Sequence, residues 1–304
     1  MAADLSLGAI QMNRREILGA GAALTAAAIA GPVLAADADR FTVEVRGKGA
    51  DVILIPGLSS SREIWEPTAK ALEGRYRVHL VQVAGFAGAP TAGNAEGKVA
   101  AGVAEGLAGY IQSKGLKTPA VIGHSMGGTI GMMLAARHPD LVGKLMVVDM
   151  FPNLAVAFFG PTATPETIVK NAAMFRQSIE SAPQEQFVAQ QTQTIATMVL
   201  TENARPAIVG HALASDRKVA GRSMEELLTT DLSPELPNIT APTTVLWAWN
   251  KASPAPAAVF GGWYQAAYAP LKGAKVVRID DSAHFIMVDQ PARFLTEVET
   301  FLAG

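Results

Sequence analysis

The sequence predicts an α/β fold: a mostly parallel sheet wrapped by helices and interrupted by an all-helical insertion. Three observations carry this expectation. Short apolar runs such as Val52-Ile53-Leu54-Ile55 and Leu145-Met146-Val147-Val148 alternate with stretches of helical periodicity, the rhythm of parallel strands covered on both faces. One run, Thr118 to Gly123, passes through Gly123-His124-Ser125-Met126-Gly127-Gly128 straight into helical spacing that lasts to Ala136. Between Pro161 and Leu236 no strand pattern is found, only amphipathic helical stretches, and the strand type returns at Thr243.

The chain opens differently from the rest. Asn13-Arg14-Arg15 stands just before an uncharged, Ala/Gly-rich run from Ile17 to Ala36. A basic start, an apolar middle and small residues near Ala35 read as an export signal over residues 1–36, cleaved near Ala35. Paired arginines before a weakly hydrophobic segment resemble a bacterial twin-arginine signal, which puts the mature chain in the periplasm or outside the cell. Met12 directly precedes this pattern and is an alternative start. The alanines and glycines of the run make a poor membrane anchor, so no stable membrane association is expected once the signal is gone.

From residue 37 the elements follow in order. Phe41 to Arg46 alternates apolar and polar residues as a half-buried strand does, and Gly47-Lys48-Gly49 turns the chain. Asp51 to Gly57 is a buried strand, Arg62 to Leu72 a helix capped by Ser61, and Arg75 to Val83 the next strand. A Gly-rich loop, Ala84 to Asn94, leads to helical periodicity over Glu96 to Gln112. After the Ser125 turn, Lys144 to Met150 reads as another buried strand. Helical stretches then run from Pro165 to Ser181, Pro183 to Leu200, Glu202 to Ser215 and Gly221 to Leu228. Thr243 to Trp249 is a strand, Ala257 to Tyr268 a helix, Ala274 to Asp280 the last strand and Pro291 to Leu302 a closing helix. The domain plan is therefore a core over 37–151, a helical lid over 152–240 and the remainder of the core over 241–304.

Composition narrows the function. The 304 residues are 49% hydrophobic and 17% charged, with a formal net charge of −2, which gives no reason to expect nucleic acid or an anionic membrane as partner. The absence of cysteine excludes disulfides, thiolate metal sites and a cysteine nucleophile. The acids and histidines show no metal-ligand spacing, and Gly85-Phe86-Ala87-Gly88 lacks the spacing and lysine of a phosphate loop. No cofactor is expected.

Ser125 is the apex of a strand–turn–helix. A nucleophile held in such a turn needs small residues at 123 and 127, because a Cβ there would clash between strand and helix. A serine hydroxyl also needs a base in contact. Of the five histidines, His79 lies mid-strand, His138 at a helix end and His211 on an insertion helix, while His124 adjoins Ser125 but should point into the sheet. Only His284 falls in a loop at the carboxyl end of a strand, where open α/β sheets place functional groups.

Taken together, the turn Gly123-His124-Ser125-Met126-Gly127-Gly128, the segment Ile55-Pro56-Gly57-Leu58 and Ser282-Ala283-His284-Phe285 resemble the α/β-hydrolase superfamily over Phe41 to Leu302. The resemblance implies a serine hydrolase with a helical lid after the family's sixth strand. Most members carry the catalytic acid after the seventh strand, where this chain has Trp249-Asn250-Lys251, with no carboxylate. Others carry it at the end of the sixth, where Asp149 stands; Asn250, Asp280 and Asp281 are the remaining candidates. The resemblance implies Ser125 as nucleophile, His284 as base and Asp149 as its orienting acid, with the backbone of Met126 and Leu58 as the oxyanion hole. Pro56 departs from the histidine many members have there. Phe86, Phe158, Phe159 and Phe285 are candidates to line an acyl pocket. The expected reaction is hydrolysis of small to medium apolar carboxylic esters, a small-molecule substrate. Lactonase, carbon–carbon hydrolase, cofactor-free perhydrolase and slow-turnover sensor functions use the same residues and stay open.

Overall fold

The computed structural model describes residues 39–304 except Pro254; the expected export signal over 1–36 lies outside the described residues. Seven strands form one sheet: β1 (Phe41–Arg46), β2 (Ala50–Ile55), β3 (Tyr76–Val83), β4 (Ala120–His124), β5 (Lys144–Val148), β6 (Thr243–Trp249) and β7 (Lys275–Asp280). Their order is β1-β3-β2-β4-β5-β6-β7, with β1 antiparallel to β3 and every other pair parallel. The chain begins its parallel sheet in the middle, steps outward to β3, then returns to the other side of β2 with β4. That reversal opens a crevice at the carboxyl ends of β2 and β4, where ligands bind in open α/β sheets.

The helices are α1 (Glu66–Leu72), α2 (Ala100–Ser113), α3 (Met126–Arg137), α4 (Leu154–Phe159), α5 (Pro165–Ser181), α6 (Gln184–Met198), α7 (Arg205–Ala214), α8 (Arg217–Thr229), α9 (Ala257–Tyr268), the short α10 (Ile286–Asp289) and α11 (Pro291–Ala303). Five of them, α4 to α8, lie between β5 and β6, and the described residues there make no strand beyond an isolated bridge between Asn153 and Asp231. With seven strands described, the insertion follows the fifth; the family's count is one higher.

Alternation along the strands sorts the core into two layers. Ile53 and Ile55 pack with α2, α3 and α9 on one face, while Val52 and Leu54 pack with Trp65, Leu72 and the Phe294, Val298 and Phe301 stripe of α11 on the other. Each such fully buried side chain contributes about 1.5–3 kcal/mol of transfer free energy. Local signals set the boundaries that the sequence shows. Ser61 Oγ accepts from Glu63 N–H before α1, and Pro165 starts α5 with Thr164 as its cap. The start of α2 differs from the sequence expectation, at Ala100 rather than Glu96. The Glu226 carboxylate of α8 takes the N–H groups of Val99, Ala100 and Ala101 at 2.6, 2.9 and 2.9 Å, so a residue remote in sequence caps the helix. Likewise α8 begins at Arg217, earlier than its apolar pattern, because Asp216 accepts from Lys218 and Val219 N–H. The sequence pattern also passed over α4.

Candidate active site

Ser125 follows β4 directly and precedes α3, and its backbone has φ 54° and ψ −122°. A non-glycine residue there costs of the order of 1–3 kcal/mol and persists only where its surroundings enforce it. Two glycines are part of that enforcement. A Cβ on Gly123 would sit 2.1 Å from the Gly127 carbonyl oxygen, and one on Gly127 would sit 2.2 Å from that of Ile55. Ser125 N–H donates to Val148 O at 2.9 Å, tying the apex to the end of β5.

Asp149, the residue after Val148, also has a positive φ of 53°. Its N–H donates to Leu246 O at 2.8 Å. One carboxylate oxygen, Oδ1, accepts from Ala248 N–H at 2.9 Å and from the Tyr264 hydroxyl at 3.0 Å. The other, Oδ2, lies 2.7 Å from His284 Nδ1. An ionised carboxylate only accepts, so Nδ1 carries the proton and the Nε2 lone pair is left for another donor. Of the four residues considered as partner to the histidine, the structure brings Asp149 to it. Asn250 instead donates to Ser282 O at 2.9 Å, bracing the histidine loop from below; Asp280 pairs with Arg278, and Asp281 accepts from Gln290 through its main-chain oxygen.

His124 has a part in the site that the sequence did not assign. Its ring lies 4.6 Å from that of His284, centroid to centroid, and its Nε2 is 3.0 Å from the His284 carbonyl oxygen. It therefore holds the histidine loop. Burial, aided by the neighbouring His284 ring, pushes its pKa well below the ordinary 6.5, so Nε2–H donates and Nδ1 is a buried acceptor with no partner among the described residues. A second brace comes from Asp289. It accepts from Ala283 N–H at 2.9 Å and from the N–H groups of Leu200 and Thr201, joining the histidine loop to the connection between α6 and α7. Phe285 N–H donates to Met198 O at the end of α6.

Leu58 follows β2 across the crevice from Ser125, and a Cβ on the adjacent Gly57 would be 3.1 Å from Ser125 Cβ. Among the described residues, neither the Leu58 nor the Met126 N–H has a protein acceptor. Met126 is the first residue of α3, so its N–H lies at the positive end of that helix. The four phenylalanines part company. Phe285 is buried with its ring edge-on to His284 at 5.7 Å. Phe86 is fully buried in the core layer of α2 and α3. Phe158 and Phe159 belong to α4 and cluster with Phe175 of α5, Phe158 being 47% exposed. A hollow of about 650 Å³ lies at the opposite end of the sheet, between the starts of β2, β4 and β5, lined by Asp51, Arg77, Lys117 and Lys144 among others, and has no part in this arrangement. Among the described residues no group of His, Asp and Glu is placed to hold a metal ion.

Sequence reasoning missed Tyr264, Asp289 and the part played by His124. The signal for Tyr264 was present: a tyrosine on the apolar stripe of a helix without charges needs a partner for its hydroxyl.

The fold, the strained Ser125 turn and the Asp149–His284 pair define a hydrolase of the α/β class. The profile of the alpha/beta hydrolase family matches residues 52–297, and the chain belongs to that family. Among its relatives, the pimeloyl-[acyl-carrier protein] methyl ester esterase of Aeromonas hydrophila is 31% identical over 46% of this chain and 54% of its own length. That of Vibrio cholerae is 30% identical over 37% and 41%. The chain thus spans about half the length of these relatives, or less. Among solved structures, the enol-lactonase of Burkholderia xenovorans superposes with a TM-score of 0.68 at 18% identity, covering 88% of this chain and 97% of that one. A thermophilic esterase from Thermogutta terrifontis gives 0.68 at 19% identity, covering 87% and 93%. At such identities the structures speak for the fold alone.

Proposed function

We propose that the protein hydrolyses carboxylic esters of small to medium apolar substrates through an acyl-enzyme on Ser125. The 2.7 Å contact between Asp149 and His284, together with a serine held at a strained apex, carries the reading. Ser125 Oγ attacks the ester carbonyl as His284 Nε2 takes its proton. Asp149 fixes the imidazole tautomer and stabilises the imidazolium. The Leu58 and Met126 N–H groups receive the oxyanion, where fixed donors are worth most because they need no reorganisation. Collapse breaks the ester C–O bond, and His284 returns the proton to the departing alkoxide. Water, deprotonated by His284, then releases the acid. Phe285 lines the acyl side, with Phe158 and Phe159 at the rim of a lid formed by the helical insertion and Phe86 behind it. The methyl ester esterase relatives support an ester as substrate; a lactone would pass through the same steps and open its ring.

The test is Ser125→Ala. The wild type should turn over short p-nitrophenyl esters at a sustained rate and take a fluorophosphonate label, and the variant should do neither while melting like the wild type. A wild type that shows only a burst is a sensor instead, and a variant that labels normally removes Ser125 from the chemistry. Export follows from the arginine pair: Arg14→Lys with Arg15→Lys should leave precursor in the cytoplasm, whereas an intact Met1 or Met12 on periplasmic wild-type protein contradicts cleavage.

A further inference from the structure

We propose that Tyr264 is a positioning residue for the Asp149 carboxylate, a role that rests on the ester-hydrolase reading and extends it to the residue that aims the acid. The usual acid site, just after β6 in this chain, holds Asn250, so the carboxylate reaches His284 from the end of β5 instead. In that place it sits on a backbone of positive φ and must be held from the side. Two donors do so at Oδ1: Ala248 N–H from β6 and the Tyr264 hydroxyl from α9. Their joint effect is to leave Oδ2 alone facing the imidazole.

Tyr264 is well placed for this. It is 2% exposed, with its ring stacked on Phe151 at 4.1 Å and on Trp247 at 5.4 Å, so the hydroxyl cannot swing away. Burial, together with the charge on Asp149, raises its pKa well above the ordinary 10, which keeps it a proton donor at any working pH. The groups facing Asp149 are Ala248 from β6, Tyr264 from α9 and His284 from the loop after β7, with the neutral Tyr268 hydroxyl near enough to feel its charge. Those facing His284 are Asp149 and His124. Tyr268, one turn further along α9, is equally buried but gives its hydroxyl to Met150 O at 2.6 Å. It is therefore an internal control: the same helix, the same chemistry, the wrong acceptor.

The experiment compares Tyr264→Phe with Tyr268→Phe in the full-length protein. Tyr264→Phe should lower kcat on p-nitrophenyl acetate about tenfold or more with KM little changed, the scale of a hydrogen bond to a charged acceptor. Removing the donor concentrates charge on Asp149, so the His284 ring, titrated by NMR without substrate, should gain proton affinity. Tyr268→Phe should lower the melting temperature without moving the His284 titration. A sharper readout uses Asp149→Asn. There the two donors at Oδ1 attract the amide oxygen and turn Nδ2 toward His284 Nδ1, and loss of the tyrosine hydroxyl relaxes that choice. The Tyr264→Phe change that slows the wild type should then leave Asp149→Asn unchanged or faster. If Tyr264→Phe folds poorly, 3,5-difluorotyrosine at 264 strengthens the donor and should shift the titration the opposite way. An unmoved His284 titration, or a further tenfold loss in the double variant, overturns the proposal. A wild type without ester turnover overturns the hydrolase reading instead, since the titration needs no substrate.

Discussion

The decisive perturbation is Asp149→Asn, because the surroundings of the carboxylate dictate what the amide must do. At Oδ1 two fixed donors converge, Ala248 N–H at 2.9 Å and the Tyr264 hydroxyl at 3.0 Å. An amide can satisfy them only with its oxygen. Its NH₂ then occupies the Oδ2 position, 2.7 Å from His284 Nδ1, and donates where a carboxylate would accept. The imidazole answers by giving up its Nδ1 proton and carrying it on Nε2, where the base should be. The wrong tautomer and the lost charge together cost on the order of 10⁴ in kcat, about 5.5 kcal/mol of transition-state stabilisation, going by the same change in other serine triads. Substrate binding does not use this contact, so KM should stay within about threefold, a little over half a kilocalorie. Asn250→Ala is the companion: it removes a neutral brace on Ser282 O, and kcat should fall less than about tenfold. Steady-state kinetics on p-nitrophenyl butyrate reads both. Loss of less than tenfold in Asp149→Asn, or a larger loss in Asn250→Ala, refutes the assignment of the acid.

Two further outcomes follow from buried titratable groups. His124 has a folded pKa well below 6.5, and burial lowers that of His79 despite its contact with Asp51. Below about pH 6.5 the unfolded chain takes up protons that the folded one refuses, so stability is full above that pH. It is lost as pH falls, by up to about 1.4 kcal/mol per unit for each histidine. Urea unfolding at pH 7.5, 6.5 and 5.5 should show the decline, and His124→Gln, which keeps a donor for His284 O, should flatten it; equal slopes would show that His124 does not contribute. Glu226→Gln replaces a carboxylate that takes three N–H groups at the start of α2 with a single oxygen. It should destabilise by about 2–4 kcal/mol through the lost charge at the helix end and an unpaired N–H. An unchanged urea midpoint would mean that water replaces the cap.

The sheet was legible because its physics is local. Strands covered on both faces must be continuously apolar, and Val52 to Ile55 and Leu145 to Val148 could hardly be anything else. Pro165 fixed the start of α5, and a proline can be read without knowing what packs nearby. The starts of α2 and α8 show the opposite case. For α2 the cap is Glu226, far along the chain, and no window around Val99 contains it. The pattern expected a start at Glu96, where helical periodicity begins.

The site divides along the same line. Ser125 stood out because the backbone it needs forces glycine at 123 and 127, a constraint written into its immediate neighbours. His284 stood out by its place after a strand. What aims them came from four parts of the chain: Asp149 just after β5, Ala248 on β6, Tyr264 on α9 and Asp289 at the end of α10. The missing carboxylate at position 250 was itself informative. A histidine paired from β5 approaches α9 on its way to the acid, and α9 must then offer a donor or leave Asp149 Oδ1 half satisfied. Tyr264 supplies it while still filling an apolar core, and Tyr268 of the same helix is taken up by Met150 O. The displaced acid and the buried tyrosine are two sides of one rearrangement, which is why Tyr264→Phe and Asp149→Asn should interact rather than add.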